Sequence, residues 1–474
     1  MENRVILFLK NFSYTIVSNL ISLLISSLVV LIIPKLVGVE EYGFWQLYIF
    51  YSSYVGFLHF GWSDGIYLRY GGEDYKTLDK KIFSSQFYLM IVFQLIIAIF
   101  ISVLSVAMGT SSDKVFILFM VSINLFIVNV LSVLLLTLQA TNRIKEYAHV
   151  NIISRVIYII LILMFLLIGI REYKIMILAD LIGKSISLIY AISVCKDIVF
   201  HSLNSFIEGI AEAMQNITVG IKLMFANIAS MLIIGVVRLG IEYSWDVTTF
   251  GKISLTLSVS NLLMIFINAI GVVIFPVLRK IKQDTLPELY SMIRDILMIV
   301  LFCILLLYFP MKVMLSSWLP DYSESLTYMA LLFPISIYEG KMGLLINTYL
   351  KTLRKEKYIM FINITVLLIS IIITFFTTIV FKNLHMAILS ILVVILIRSV
   401  AAELYISKIL GVKVIKDIIY EIILTLLFVV VGWYFKTGTG FLVYSIIILS
   451  YLLLKKKDIL LSFYQIKSYI ISKG

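Results

Sequence analysis

Hydropathy along this chain rises and falls in long blocks. Runs of about twenty apolar residues follow one another with short polar breaks, and a helix of that length crosses the hydrocarbon core of a bilayer. Fourteen such runs lie at approximately 12–33, 42–60, 82–107, 115–138, 147–170, 174–195, 219–241, 250–275, 290–310, 324–350, 358–381, 384–406, 417–435 and 439–454. They are too long for membrane strands and lack the two-residue alternation that a barrel requires. The predicted architecture is therefore an all-α polytopic membrane protein with about 14 transmembrane helices.

Composition supports this. The chain is 61% hydrophobic and 14% charged, whereas soluble proteins are roughly 45–50% apolar and about 25% charged. A net charge of +12 would suggest nucleic acid in a soluble protein. Here topology explains it. With the N-terminus inside, the inner loops and ends hold about 24 Lys and Arg and the outer loops about 8, with 7 more inside the spans. Basic residues accumulate on the cytoplasmic side, so both termini are predicted inside and nucleic acid drops out as a partner. MENRVILFLK has no small-residue cleavage pattern and reads as the start of an uncleaved first helix. The basic tail KKKDILLSFYQIKSYIISKG is expected on the inner surface, against anionic membrane lipids. Cys195 and Cys303 lie far apart in or beside apolar runs, without metal-ligand spacing.

One stretch breaks the pattern. HFGWSDGIYLRYGGEDY, residues 59–75, brings Asp64, Arg69, Glu73 and Asp74 among glycines and aromatics. It falls at the cytoplasmic exit of the second run. Trp62, Tyr67, Tyr70 and Tyr75 suit an interfacial aromatic belt, and a short amphipathic helix on the inner leaflet is expected.

The runs repeat internally. SNLISLLISSLVV (18–30) lies over ANIASMLIIGVVR (226–238) without a gap, matching Asn19 to Asn227 and Ser22 to Ser230, and in the same frame Tyr42-Gly43 meets Phe250-Gly251. A second echo sets TNRIKEY (141–147) against TLRKEKY (352–358). The predicted organisation is a six-helix lobe at 1–195, a cytoplasmic amphipathic linker at 196–217, a second six-helix lobe at 218–408, and two extra transmembrane helices with the basic tail at 409–474. Parallel repeats of this kind place a substrate site between lobes that rock to give alternating access.

Charges at hydrocarbon depth are costly and face a cavity or a partner. Arg155, Lys184, Lys341 and Arg398 fall near mid-depth or in the inner half, and Asp180 stands one helical turn from Lys184. Lys222 and Arg294 lie near inner ends, where snorkelling suffices, and Arg238 is one turn from Glu242. Cations exceed anions at depth, which points to an anionic substrate such as a phosphate-bearing headgroup. Arg155, Lys184, Lys341 and Arg398 are the candidate headgroup contacts, Asp180 and Glu339 the candidate coupling carboxylates, and Lys222, Arg238 and Arg69 secondary candidates. Pro334, five residues before Glu339-Gly340-Lys341, is expected to bend its helix.

No phosphate loop, HExxH, GxSxG or GxGxxG is present, and the four histidines are scattered. Without a catalytic motif or a large extramembrane loop, the expectation is a transporter, with no cofactor and no enzymatic activity. A cation-coupled multidrug exporter is one alternative. It would favour a cavity rich in acids and aromatics. A polytopic glycosyltransferase or polymerase is another.

The segment Leu36-Val37-Gly38-Val39-Glu40-Glu41-Tyr42-Gly43-Phe44-Trp45, with Gly61 through Arg69-Tyr70, resembles the polysaccharide transporter family, the bacterial O-antigen and capsule repeat-unit flippases. These belong to the multidrug/oligosaccharidyl-lipid/polysaccharide flippase superfamily. Members carry an LG-x-x-x-YG-x-W pattern after the first span and a DxGxxxxxxR-like stretch after the second; here His59 stands where the acidic residue is common. The resemblance implies two six-span lobes plus two helices in the cytoplasmic membrane. It implies flipping of an undecaprenyl-pyrophosphate-linked oligosaccharide, H⁺ or Na⁺ coupling, and other polysaccharide assembly proteins as possible partners.

Overall fold

The computed structural model describes residues 2–107, 111–202, 206–279, 285–458 and 460; the predicted basic tail from 461 onward lies outside the described residues. In chain order the helices are α1 (Glu2–Leu36), α2 (Val39–Ser52), α3 (Trp62–Arg69), α4 (Lys80–Ala107), α5 (Ser112–Ala140), α6 (Ile144–Ile168), α7 (Tyr173–Val194), α8 (Lys196–Val199), α9 (Phe206–Ser244) and α10 (Val247–Arg279). They continue with α11 (Leu286–Ile304), α12 (Tyr308–Trp318), α13 (Met329–Leu332), α14 (Ile335–Lys341), α15 (Asn347–Thr352), α16 (Glu356–Thr374), α17 (Leu384–Leu410), α18 (Ile415–Tyr434) and α19 (Thr437–Leu454). Among the described residues there is no strand, and ten helical stretches are long and apolar enough to cross a membrane. The other four predicted runs fall on α1, on α2 with the 3-10 turn Val55–His59, on α10 and on α18.

The chain forms two compact units, Met1–Ile228 and Ala229–Gly474, with the boundary inside α9. Residues 196–217, expected as a separate linker, fall within unit 1, and α18 and α19 fall within unit 2.

The internal repeat recurs in the backbone. α1 ends at Leu36 and α2 starts at Val39, while α9 ends at Ser244 and α10 starts at Val247, all in the frame in which Asn19 meets Asn227. The same bonds close both corners: Val37 N to Ile33 O and Trp245 N to Ile241 O, then Tyr42 N to Gly38 O and Phe250 N to Asp246 O. The second echo holds with a correction. Asn142 and Arg354 share a left-handed conformation (φ 59° and 55°). Arg143 N donates to Leu138 O as Lys355 N does to Leu350 O. The structural frame thus pairs Asn142 with Arg354, one residue away from the alignment by Thr, Arg and Tyr.

In unit 1 the second span is broken after Ser52. A break frees carbonyls that lipid cannot satisfy, so irregular backbone survives only where protein covers it. Asn129 Nδ2 of α5 donates to Val55 O (3.0 Å) and Gln94 Nε2 of α4 donates to Leu58 O (3.1 Å), and the two buried amides bond each other. The chain then turns through left-handed Phe60 and Gly61 into α3. A Cβ on Gly65 would lie 1.9 Å from Asn216 O, and one on Gly220 would lie 2.0 Å from Gly61 O. Two glycines four apart let the α3 and α9 backbones touch, the small-xxx-small device of membrane helices.

The short helix expected within 59–75 is α3, and the close crossing buries one of its faces. Trp62 is buried and donates to Gln86 Oε1 (3.0 Å), and Tyr70 OH donates to Glu212 (2.6 Å). Tyr75 OH donates to Asp197 (2.7 Å) beneath the cations of Lys80 and Arg143. Of the four aromatics expected in the belt, Tyr67 is the one that is exposed. α3 turns one face inward because glycine opens room for it there.

Unit 2 is built around α14 and α17. Ile335, Tyr338, Ile388, Ile391, Val394 and Ile395 form one apolar cluster with Ile233, Val237 and Ile241 of α9. The tenth span, Ser325–Thr352, is one helical stretch of changing pitch. A 3-10 turn at Ser325–Tyr328 leads into α13; Pro334 caps α14, and a π-helical turn, Met342–Ile346, separates α14 from α15. At Pro334 the backbone stays helical (φ −62°, ψ −13°) while the bonding shortens to three residues, Ser336 N to Phe333 O and Ile337 N to Pro334 O. About 89% of the span's most apolar window is buried.

Candidate functional site

Most of the charges within the spans gather into one cluster in unit 1 and two groups in unit 2.

In unit 1, Lys184 on α7 donates to Asp180 (2.6 Å) one turn earlier and to Asn124 Oδ1 on α5 (3.0 Å). Tyr48 OH on α2 also donates to Asp180, at 2.7 Å. Tyr48 is buried in a stack in which Trp45 lies between it and Tyr158 of α6, at 5.5 and 5.9 Å between ring centroids. Three helices therefore fix one carboxylate–ammonium pair. Arg155 projects from α6 as an exposed residue, and no carboxylate bonds it among the described residues. Lys222 on α9 is also exposed. Arg69 at the end of α3 is a brace: it donates to Glu212 (2.5 Å), Asn216 (2.7 Å) and Gln215 (2.8 Å), tying α3 to α9.

In unit 2, Arg398 on α17 donates through Nη1 to Glu339 on α14 at 2.8 Å. Glu339 retains 24% side-chain exposure. Beside this pair lies a closed ring. Arg294 of α11 donates Nε to Glu403 Oε1 of α17 and Nη2 to Glu421 Oε1 of α18, each at 2.5 Å. Lys341 of α14 donates to the remaining oxygen of each carboxylate, at 2.5 and 2.6 Å. Each cation touches both anions and each anion touches both cations, so the ring is neutral and four helices share it. It extends through Arg294 to Asp417, and from Asp417 to Lys455 and Asp295. Arg238 donates Nη2 to Ser254 Oγ of α10 (2.9 Å) and lies over the Phe250 ring.

The structure thus joins two pairs of predicted residues, Asp180 with Lys184 and Glu339 with Arg398. It brings neither Arg155 nor Lys222 to a carboxylate among the described residues. It corrects the reading of Arg294, which does not snorkel: at 2% exposure it is buried between three carboxylates. The cation excess also shrinks. Arg294, Lys341 and Arg398 meet Glu339, Glu403 and Glu421 in equal number, because α18 supplies the third carboxylate.

The cations differ in how fully they are used. Arg294 directs Nε, Nη1 and Nη2 to carboxylates, and Lys341 is fully buried between two. Among the described residues Arg398 makes one side-chain bond, to Glu339, and its Nε is buried without a hydrogen-bond partner. A buried guanidinium with an idle donor carries an uncompensated desolvation cost that an anion would remove. Sequence reasoning missed Tyr48, Asn124 and Glu421. The first two are neutral, and the last sits on a helix outside the duplicated core. Among the described residues, no group of three or more His, Cys, Asp or Glu is placed to hold a metal ion.

The fold is all-helical and internally repeated, with charges paired inside each unit. Solved structures of other proteins share this fold. The chain aligns with a lipid II flippase, MurJ, in an inward closed conformation at TM-score 0.64 and 16% identity, covering 95% of this chain and 100% of that one. It aligns with an inward-facing multidrug resistance MATE family transporter of the MOP superfamily at TM-score 0.58 and 10% identity, covering 83% and 98%. No curated protein matches the sequence. A family model described as polysaccharide biosynthesis protein matches residues 8–282, more than half the chain, and the chain belongs to that family.

Proposed function

We propose that this protein flips a lipid-linked oligosaccharide, carried on undecaprenyl pyrophosphate, from the inner to the outer face of a bacterial cytoplasmic membrane, with both termini inside. Membership of the polysaccharide biosynthesis family carries the reading. The charge placement supports it: the underused cations, Arg155 and Arg398, suit an anionic headgroup better than a cationic drug. Lys184 joins them as a contact whose carboxylate can be exchanged. Lys341 we assign to bracing, because both its carboxylates are committed to the ring. Asp180 and Glu339 fit the coupling role, since a proton or Na⁺ on either would release Lys184 or Arg398. Lys222 and Arg238 remain secondary candidates, and Arg69 holds α3 in place.

Deleting the gene in its host tests the proposal. Surface polysaccharide, whether O-antigen, capsule or exopolysaccharide, should disappear while lipid-linked repeat units accumulate on the inner face. The Arg155→Ala and Arg398→Ala variants should fail to restore it although they reach the membrane. Normal polymer with new sensitivity to cationic drugs would support an exporter instead.

A further inference from the structure

We propose that Glu339 is a resident counter-ion that screens the headgroup site of unit 2 against singly charged phospholipids. The inference rests on the reading of Arg398 as a headgroup contact.

A cation at hydrocarbon depth faces a selectivity problem. The bilayer is full of phosphodiesters, each with one negative charge, and a bare guanidinium would take the most abundant of them. A site becomes selective when the wrong ligand must lose something to bind. Glu339 supplies that loss. It holds Nη1 of Arg398 at 2.8 Å and itself keeps partial access to solvent or lipid, so it can leave. A single-charge headgroup that displaced it would exchange one anion for another of equal charge. A pyrophosphate diester brings two charges and more acceptor oxygens.

The guanidinium is arranged for the larger ligand. Glu339 takes one bond, from Nη1, and among the described residues Nε is buried without a partner. A ligand with two adjacent phosphates can occupy Nε and an Nη together, the bidentate geometry that guanidinium favours. A carboxylate held at one Nη does not. Neighbouring charges cannot take over the role, because Glu403 and Glu421 have both oxygens committed to Arg294 and Lys341.

In unit 1 the same logic is drawn more tightly. Asp180 holds Lys184 and is itself held by Tyr48. Asp180 should therefore exchange less readily than Glu339.

Purified full-length protein in detergent provides the test, with a short-chain isoprenyl pyrophosphate bearing one sugar, a pyrophosphate diester, and dioctanoyl phosphatidylglycerol as probes in native mass spectrometry. Wild type should bind the pyrophosphate and discriminate against phosphatidylglycerol by at least about tenfold, the scale of one charge-assisted hydrogen bond. Glu339→Gln should tighten phosphatidylglycerol by about that factor and narrow the preference. Glu339→Asp, which keeps the charge, should preserve it and serves if the glutamine variant does not fold. Arg398→Ala should weaken the pyrophosphate. An unchanged preference in Glu339→Gln, or a preference lost in Glu339→Asp, overturns the screening role while leaving Arg398 as a contact. Pyrophosphate binding that Arg398→Ala does not affect overturns the headgroup reading and this inference with it.

Discussion

Single residues divide the buried cations into two kinds. Lys341 is fully buried between Glu403 and Glu421. Breaking a buried pair strands the partner charge, typically at about 3–5 kcal/mol. Lys341→Met should therefore lower thermal stability in detergent by that order, and adding Glu421→Gln should recover part of the loss. Equal stability of Lys341→Met and wild type would remove the ring from the structural role given to it. Arg155 is the opposite case. Exposed on α6 and bonded to no carboxylate among the described residues, it should tolerate Arg155→Ala without a shift in melting temperature, while flipping falls. The sequence displayed the cations themselves, since any charge in an apolar run stands out. Their partners were hidden by distance along the chain. Lys341 and Glu421 are 80 residues apart, and Tyr48 and Asp180 are 132 apart. Hydropathy carries no record of such pairing, so the expectation of a cationic pocket came from charges the fold largely balances.

Helix boundaries were far more legible than helix faces. The frame in which Asn19 meets Asn227 also carries the ends of α1 and α9 and the starts of α2 and α10. Small and polar residues mark corners there, and corners are local. The face that α3 turns inward was not legible. Its aromatics and charges look interfacial, and only the spacing of Gly61 and Gly65 hinted at a crossing helix. That spacing makes a sharp prediction. A methyl group at Gly65 meets the backbone of Asn216, which cannot yield as a flexible side chain would. Gly65→Ala should raise hydrogen exchange across α3 and the start of α9 and cost about 1–3 kcal/mol or more, as overpacking does. Gly38→Ala, with nothing within 4 Å of its added Cβ, serves as the control and should change neither. Matching exchange in the two variants would dismiss the glycine crossing.

At the scale of the whole molecule, α18 and α19 cease to be an appendage. α18 brings Asp417 and Glu421 to the buried ring, and Lys455, just past α19, binds Asp417 and Asp295. A chain ending at Gly411 would leave Arg294 and Lys341 sharing Glu403 alone. It should fail to accumulate in the membrane, and adding Arg294→Met, which leaves one matched pair, should restore part of the yield. Wild-type yield from the unmodified truncation would show the two helices to be dispensable. The central claim is that the chain moves an anionic, lipid-linked sugar across a bilayer. Reconstitution of the purified protein into liposomes carrying a fluorescent undecaprenyl-pyrophosphate-linked oligosaccharide tests it most directly. Wild type should expose the sugar on the opposite leaflet, and both Arg155→Ala and Arg398→Ala should slow this about tenfold or more, the scale of a lost charge-assisted bond. Wild-type liposomes that leave the sugar where it began, while transporting a cationic dye, would contradict it.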